Sequence, residues 1–202
     1  MNLSFTNVLK IKDIAVNLAQ ANYQHEILKS KKIKSVFLSD YIRKEYFDSA
    51  KKISVSKKEN IICYNPKKNS FFLKNFIKLN PQYKFIPLIN YSLKDVIKIL
   101  SKSKIYIDFG FHPGADHLPR EAAILKNCIL TNKEGSAFYY KDVPLHKDYK
   151  FDEIFNNNQK IKKQIDLIFE NFPKKIKRFS NYRSIIKLQE KKFISEAKKI
   201  FN

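Results

Sequence analysis

Residues 60–131 alternate short apolar runs with amphipathic segments, and this alternation constrains the fold of the 202-residue chain more than any other feature. Four apolar runs are separated by three segments in which apolar residues recur at helical spacing. The connections are short, and the runs are nearly continuous, which is typical of parallel strands covered on both faces. We therefore predict an α/β fold: a single Rossmann-like domain with a parallel core sheet and a helical C-terminal tail.

The same patterns predict the individual elements. Strands are expected at 35–39, 60–64, 84–88, 104–109 and 128–131. Helices are expected at 11–30, 41–50, 70–79, 92–100 and 119–125, with Ser70 and Ser92 as N-terminal caps. The predicted divisions are 1–59 for an N-terminal helix, strand and short helix, 60–151 for the Rossmann-like donor-binding core, and 152–202 for C-terminal helices that pack on it.

The C-terminal part is predicted to be helical to Phe172, to break at Pro173 and to continue as a long basic helix to Phe201. An apolar stripe runs along that last helix and predicts that it packs across the sheet domain. The stripe consists of Phe179, Tyr182, Ile186, Phe193 and Ala197.

The run from His112 to Ala123 is the strongest candidate for a functional site. It follows the predicted strand 104–109 and leads into a helix, and two of the three glycines of the chain, Gly110 and Gly114, lie in between. Ligands of open α/β sheets bind beyond the carboxyl ends of the strands, and amides at a helix start favour an anion. The position therefore predicts an anion-binding site.

Two further loops are predicted to emerge at the same edge of the sheet. One holds Asn65, Lys67 and Lys68, and the other holds Gly135 and Ser136. Cations, glycines and carboxylates that come together on one edge indicate a binding site more specifically than any one of the loops does. The predicted binding residues are Asn65, Lys67, Lys68, Gly110, Gly114, Arg120, Glu121, Gly135 and Ser136.

The formal charge of +21 would attract a polyanion or an anionic membrane surface. Only four of the 40 basic residues are arginine, the residue favoured for bidentate recognition of phosphates and bases. The charge is therefore open to two interpretations, a lysine-rich solvated surface or a binding surface for polyanions, and nucleic acid is the weaker candidate.

Several classes are excluded or disfavoured by missing motifs. There is no glycine-rich dinucleotide fingerprint, Walker loop or nucleophile elbow. Cys63 and Cys128 lie in apolar runs and are expected to be buried thiols rather than a disulfide or a zinc site. His112, Asp116 and His117 fit no familiar zinc spacing, so no metal is predicted. The absence of a signal peptide or an 18-residue apolar stretch predicts a cytoplasmic protein.

The segment from about Ser39 to Phe151 resembles the C-terminal, nucleotide-sugar-binding domain of GT-B glycosyltransferases, closest to a poorly characterised bacterial subgroup. The resemblance covers a little over half of the chain. The matching pieces are residues 38–41, 64–68, 105–110, 112–114, 119–123, 135–137, 142–144 and 149–151. Asn69 departs from the pattern, which has glycine there, although asparagine also tolerates a left-handed backbone.

The resemblance implies a glycosyltransferase-like domain that binds a nucleotide-activated sugar as substrate and needs no cofactor. Glu121 would hold the ribose, and Lys67 or Lys68 would face the diphosphate. Arg120 and the amides of Gly135 and Ser136 could add to the stabilisation of the leaving group. His112 is the candidate acid–base catalyst, and its alternative role is to order the loop.

GT-B enzymes place the acceptor between two domains, and residues 1–59 are too few for an independent second domain. The resemblance therefore implies a protein partner or self-association that supplies the acceptor site, with peripheral contact to an anionic membrane as a further expectation. Two alternatives stay open: an inactive half-enzyme that acts as a subunit, and a non-enzymatic basic module that binds nucleic acid or an anionic membrane.

Overall fold

The computed structural model describes residues 16–201 and contains one five-stranded parallel sheet. We label the strands in chain order, and the sheet has the order β4-β3-β5-β6-β7, with every neighbouring pair parallel. The strands are β3 (Glu59–Tyr64), β4 (Lys84–Pro87), β5 (Ser103–Asp108), β6 (Cys128–Asn132) and β7 (Lys150–Phe151). The predicted fold class is confirmed, whereas the divisions at 59/60 and 151/152 stay predictions.

The helices cover both faces and follow the predicted order along the core. They are α1 (Asn22–Ser30), α2 (Lys44–Lys51), α3 (Phe71–Leu79), α4 (Leu93–Lys102), α5 (His117–Ile124), α6 (Asn158–Glu170), α7 (Phe172–Lys175) and α8 (Ser180–Phe201). Ser70 caps α3 by accepting a hydrogen bond from the Leu73 amide, and Ser92 caps α4 in the same way through the Asp95 amide. Both predicted caps are confirmed, because each hydroxyl satisfies an amide that lacks a helical partner.

Strands β5 and β6 form the centre of the core. All five residues of β6 are buried, and Ile105, Tyr106 and Ile107 of β5 are fully buried. Complete burial of such a side chain stabilises the fold by roughly 1.5–3 kcal/mol. Cys63 and Cys128 lie in this core as free thiols, as predicted, and burial raises the pKa of Cys63 to about 11.

Helix α8 packs on the sheet domain through the predicted stripe. Phe179, Tyr182 and Ile186 are buried, and the ring of Phe193 lies 5.2 Å from that of Tyr41. Helix α6 ends at Glu170, before Pro173, which lies in the first turn of α7. Proline is tolerated there because that turn has no helical acceptor for its amide.

The N-terminal part differs from the predicted helix over 11–30. Residues 11–15 lie outside the described part, and a short strand, β1 (Leu18–Ala19), pairs in parallel with β2 (Val36–Phe37) before and after α1. The carboxylate of Asp142 accepts hydrogen bonds from the Asn22 and Tyr23 amides at 2.7 and 2.9 Å. The Asp142 side chain, which is 120 residues from Asn22 in the sequence, therefore caps α1 and fixes where the helix begins.

Candidate functional site

The order in which strands are added to the sheet changes direction between β3 and β5, and this point lies at the centre of the carboxyl edge of the sheet. In the order β4-β3-β5-β6-β7, the chain first adds a strand on one side of β3 and then adds all later strands on the other. Crevices at such switch points are where open α/β sheets bind ligands. The loops after β3 and β5 flank this crevice, and the loop after β6 lies beside them. The three loops therefore share one edge, as the sequence predicts.

Lys68 crosses this crevice and joins the loops. Its Nζ atom lies 2.6 Å from Asp116 Oδ2, 3.0 Å from Asp108 Oδ2 and 3.0 Å from His112 Nδ1. The Asp108 side chain is fully buried at the end of β5, and the Lys68 side chain is 11% exposed. We call these four residues the Lys68 cluster. It binds the loop after β3 to the loop after β5.

The Lys68 ammonium also sets the electrostatics of the cluster. Burial alone would raise the pKa of the Asp116 carboxyl, but the hydrogen bond with His112 and the Lys68 charge outweigh it, so that pKa is lowered. The ammonium thus stabilises the Asp116 carboxylate in its charged form. Removing one partner of such a buried pair leaves an uncompensated charge.

His112 is buried and has contacts at both ring nitrogens. Its side chain is 2% exposed, and Nε2 lies 3.0 Å from the Asp108 carbonyl oxygen and 3.3 Å from Thr131 Oγ1. A carbonyl only accepts, so Nε2 carries a hydrogen, and Nδ1 lies 2.9 Å from Asp116 Oδ2 and 3.0 Å from Lys68 Nζ. These buried contacts order the loop after β5, and the acid–base role of His112 stays a prediction.

Asp108, His112 and Asp116 form a compact group of metal-ligating types. Their ligand atoms lie within 4.8 Å of one another. The Lys68 ammonium lies within 3.0 Å of a ligand atom of each, so a tethered cation takes the central position. The expectation that no metal is needed stays a prediction.

Arg120 has a different place from the predicted one. Its side chain is 3% exposed, and it donates to the Asp40 carboxylate and carbonyl, the Gln189 amide oxygen and the carbonyls of Ala115 and Asp116. These contacts engage the guanidinium internally and tie α5 to α8 and to the segment before α2. Direct contact of Arg120 with a diphosphate would require breaking them.

Glu121 is buried against helix α2 rather than in the Lys68 cluster. It is 7% exposed and lies near the Tyr46 side chain of that helix. Burial is the main cause that raises the pKa of the Glu121 carboxyl, despite the lowering effect of Tyr46 and nearby cations. Its predicted role as ribose ligand stays a prediction, and in this arrangement a ribose would have to compete with Tyr46.

The three glycines allow the loops to pack against each other. Gly110 has a φ of +118°. Gly135 has a φ of +57°, and a β-carbon added there would overlap the His112 carbonyl oxygen. Gly114 accepts a hydrogen bond from the Ser136 hydroxyl at 2.7 Å. The Ser136 amide donates to the His112 carbonyl at 2.9 Å, so a diphosphate would have to compete with that carbonyl, and the predicted role of Ser136 stays a prediction.

Lys67 is exposed in the loop after β3, and its amide donates to Asn65 Oδ1 at 3.0 Å. This contact caps the single turn Pro66–Lys68. Asn69 follows with a φ of 54°, the left-handed conformation expected for a position where the related pattern has glycine. The loop after β3 thus presents Lys67 outward and Lys68 inward.

Sequence reasoning missed Asp108 and Asp40. Asp108 ends an apolar strand directly before the glycine loop, and this position was a usable signal. Asp40 gave no such signal, because its role depends on Arg120, 80 residues away.

A cavity of about 250 Å³ was not predicted from the sequence. It lies between the β1–β2 pair and α8, next to Ala115. Its polar lining includes Gln20, Asn22, Ser39, Asp40, Asp142 and Gln189.

The fold is shared with solved glycosyltransferase-related structures. Anabaena Alr3699/HepE in complex with UDP-glucose matches 96% of this chain and 67% of its own length, at a TM-score of 0.67 and 10% identity. The same protein in complex with UDP matches with a TM-score of 0.65 and 11% identity, over 91% of this chain and 63% of its own. A glycosyltransferase from Rickettsia africae matches all of this chain and 69% of its own, at 0.65 and 18% identity.

These identities establish the likeness at the level of the fold. The chain spans roughly two thirds of the length of the matched structures. No protein-family model matches the sequence, and no curated protein matches it either. None of the helices in the described part is long and apolar enough to cross a membrane.

Proposed function

We propose that this chain binds a nucleotide-activated sugar at the crevice between β3 and β5 and takes part in glycosyl transfer. The observation that carries the proposal is a lysine-bearing loop at the topological switch point of a fold shared with a protein crystallised with UDP-glucose. A diphosphate needs cations and amide donors, and both are present at this edge.

Lys67 and Lys68 have different roles in this proposal. Lys67 is exposed and can meet a phosphate without rearrangement, whereas Lys68 is held by Asp108 and Asp116. The pair of carboxylates holds the Lys68 ammonium, so the loop after β3 is fixed in place before an anion arrives. Since the Arg120 guanidinium and the Lys68 ammonium are both engaged internally, the exposed Lys67 supplies the positive charge that meets the phosphate.

Calorimetric titration with UDP, UDP-glucose and other nucleotide sugars tests the proposal. We expect binding in the wild type, weaker binding in Lys67→Ala by about three- to tenfold, and no change in Lys78→Ala. Lys78 is an equally exposed lysine at the far end of α3, so it controls for the loss of one charge. Absence of binding at millimolar nucleotide, or an equal loss in both variants, would refute the assignment.

A second candidate function, binding of a polyanion, is favoured by one specific feature. A cleft of about 580 Å³ between β7 and α6 is lined by five lysines and two aspartates. The lysines are Lys133, Lys147, Lys150, Lys160 and Lys163. Burial lowers the pKa of Lys150 to about 8, and an anion in the cleft would raise that pKa by stabilising the ammonium.

The two candidate functions are separated by the dependence of binding on salt. Polyanion binding should fall steeply between low and physiological salt, because neutralised phosphates release counterions. Fluorescence anisotropy with a labelled oligonucleotide and co-sedimentation with anionic vesicles measure it. Lys160→Glu/Lys163→Glu should abolish such binding and leave nucleotide titration unchanged, whereas binding that survives in this variant would rule out the cleft.

A further inference from the structure

The Glu153 carboxylate connects three loops at the carboxyl edge. Its Oε1 atom accepts from the Gly110 amide at 2.7 Å and from Asn132 Nδ2 at 2.6 Å, and its Oε2 atom accepts from the Ser70 hydroxyl at 2.8 Å. These donors belong to the loop after β5, the end of β6 and the start of α3. One side chain from beyond β7 therefore spans the rest of the edge.

The partners of Glu153 are themselves fixed. Asn132 is fully buried, and its Nδ2 atom also donates to the Gly110 carbonyl oxygen at 2.7 Å. Ser70 is the cap of α3, so its hydroxyl both accepts from the Leu73 amide and donates to Glu153. Hydrogen bonds to a charged carboxylate are stronger than neutral ones. The arrangement leaves the loops after β3 and β5 little freedom relative to each other.

Gly110 is where this arrangement meets the Lys68 cluster. A β-carbon at Gly110 would lie 3.0 Å from Lys68 Cβ and 3.1 Å from its carbonyl oxygen, so the two backbones are in close contact. Glu153 fixes Gly110 and Ser70, the residues that flank Lys68 across the crevice and along the chain. The position of the lysine-bearing turn thus depends on a carboxylate that comes from the far side of the sheet.

We propose that Glu153 is a positioning residue, which holds the loops after β3 and β5 in the geometry that receives the diphosphate of the nucleotide. This inference rests on the proposed function, and it names a residue that no sequence motif indicated. Glu153 acts through Gly110 and Ser70 and does not itself contact the ligand. A misplacement of about 1 Å in such a loop costs large factors in binding or rate.

The test compares Glu153→Ala and Glu153→Gln with Asp152→Ala. Asp152 is the neighbouring acid, its side chain is 55% exposed, and the charged partner of that side chain is the exposed Lys133, so it controls for the loss of a negative charge. We expect UDP to bind about tenfold more weakly to Glu153→Ala and within about threefold of wild type to Glu153→Gln, because the amide keeps an accepting oxygen. Asp152→Ala should bind UDP like wild type.

Hydrogen exchange without ligand provides a second readout that does not depend on nucleotide. Glu153→Ala should raise exchange of the amides in residues 65–70 and 110–116, while the strands keep their protection. Unchanged exchange there would overturn the positioning role, as would unchanged or tighter UDP binding. If wild type binds neither UDP nor UDP-glucose, the proposed function fails instead, and the exchange result separates the two failures.

Discussion

Lys68 Nζ lies 2.6 Å from Asp116 Oδ2, which joins two loops that are 48 residues apart in the chain. The same ammonium contacts Asp108, whose side chain is fully buried. The stability of the site and its charge therefore depend on one lysine. This dependence distinguishes Lys68 from Lys67, which is adjacent in sequence and exposed.

Lys68→Met should destabilise the protein by about 3 kcal/mol, because it leaves the buried Asp108 carboxylate and the partly exposed Asp116 carboxylate without their cation. Lys67→Met should change the free energy of unfolding by less than about 0.5 kcal/mol. Urea denaturation at neutral pH measures both. The double variant Lys68→Met/Asp116→Asn should recover part of the loss, and a Lys68→Met protein as stable as wild type would contradict the pairing.

Gly135→Ala should be far more destabilising than Gly114→Ala. An added β-carbon at Gly135 would overlap the His112 carbonyl, and the φ of +57° adds strain, so we expect a loss of roughly 2–4 kcal/mol. At Gly114 the nearest atom is the end of the Gln24 side chain at 2.8 Å, which can move. Thermal unfolding of the two variants compares them, and equal losses would show that backbone overlap is not decisive.

The fold was predictable from the sequence because each core strand is a continuous apolar run with a helix start after it. The capped starts of α3 and α4 were predictable for the same local reason. The start of α1 was not, because Asp142 supplies its cap from a distant loop. The site was predictable as an edge of the sheet. Its contacts were not, because Arg120 pairs with Asp40 and Gly110 with Glu153 through tertiary packing.

Lys58 should make the free energy of unfolding depend on pH in the neutral to alkaline range. It is 6% exposed, its Nζ atom donates to the carbonyls of Leu100 and Ser103, and burial lowers its pKa to about 7 from 10.5. Between these two values the unfolded chain binds more protons than the folded protein, so stability rises as the pH rises through this window. Below the folded pKa the cost of burying the charge is fully present.

Lys58→Met removes this contribution, because methionine occupies a similar volume without a charge. The free energy of unfolding of wild type minus that of the variant should rise by roughly 1 kcal/mol per pH unit between pH 7 and 10. Urea denaturation at several pH values measures the difference. Lys57→Met, an exposed neighbour, should show no such slope, and a flat difference for Lys58→Met would contradict the burial of its charge.

The β1–β2 pair is the surface on which a partner is expected. Among residues 16–201 this parallel sheet has two strands, and its residues Leu18 and Val36 are 42% and 43% exposed. Two-stranded sheets are marginal alone, and parallel sheets are rarely left uncovered. We expect a protein partner or a second copy to extend or cover this pair and to supply the acceptor site.

The isolated chain should therefore bind nucleotide but transfer sugar poorly, because an acceptor held by one wall is not oriented for attack. A transferase assay with a panel of donors, together with light scattering for the oligomeric state, measures this. Leu18→Lys/Val36→Lys should abolish self-association or partner capture, and Leu79→Lys, at a still more exposed apolar site on α3, should not. Efficient transfer by a strict monomer would refute the prediction, since a complete acceptor site would then lie within this chain.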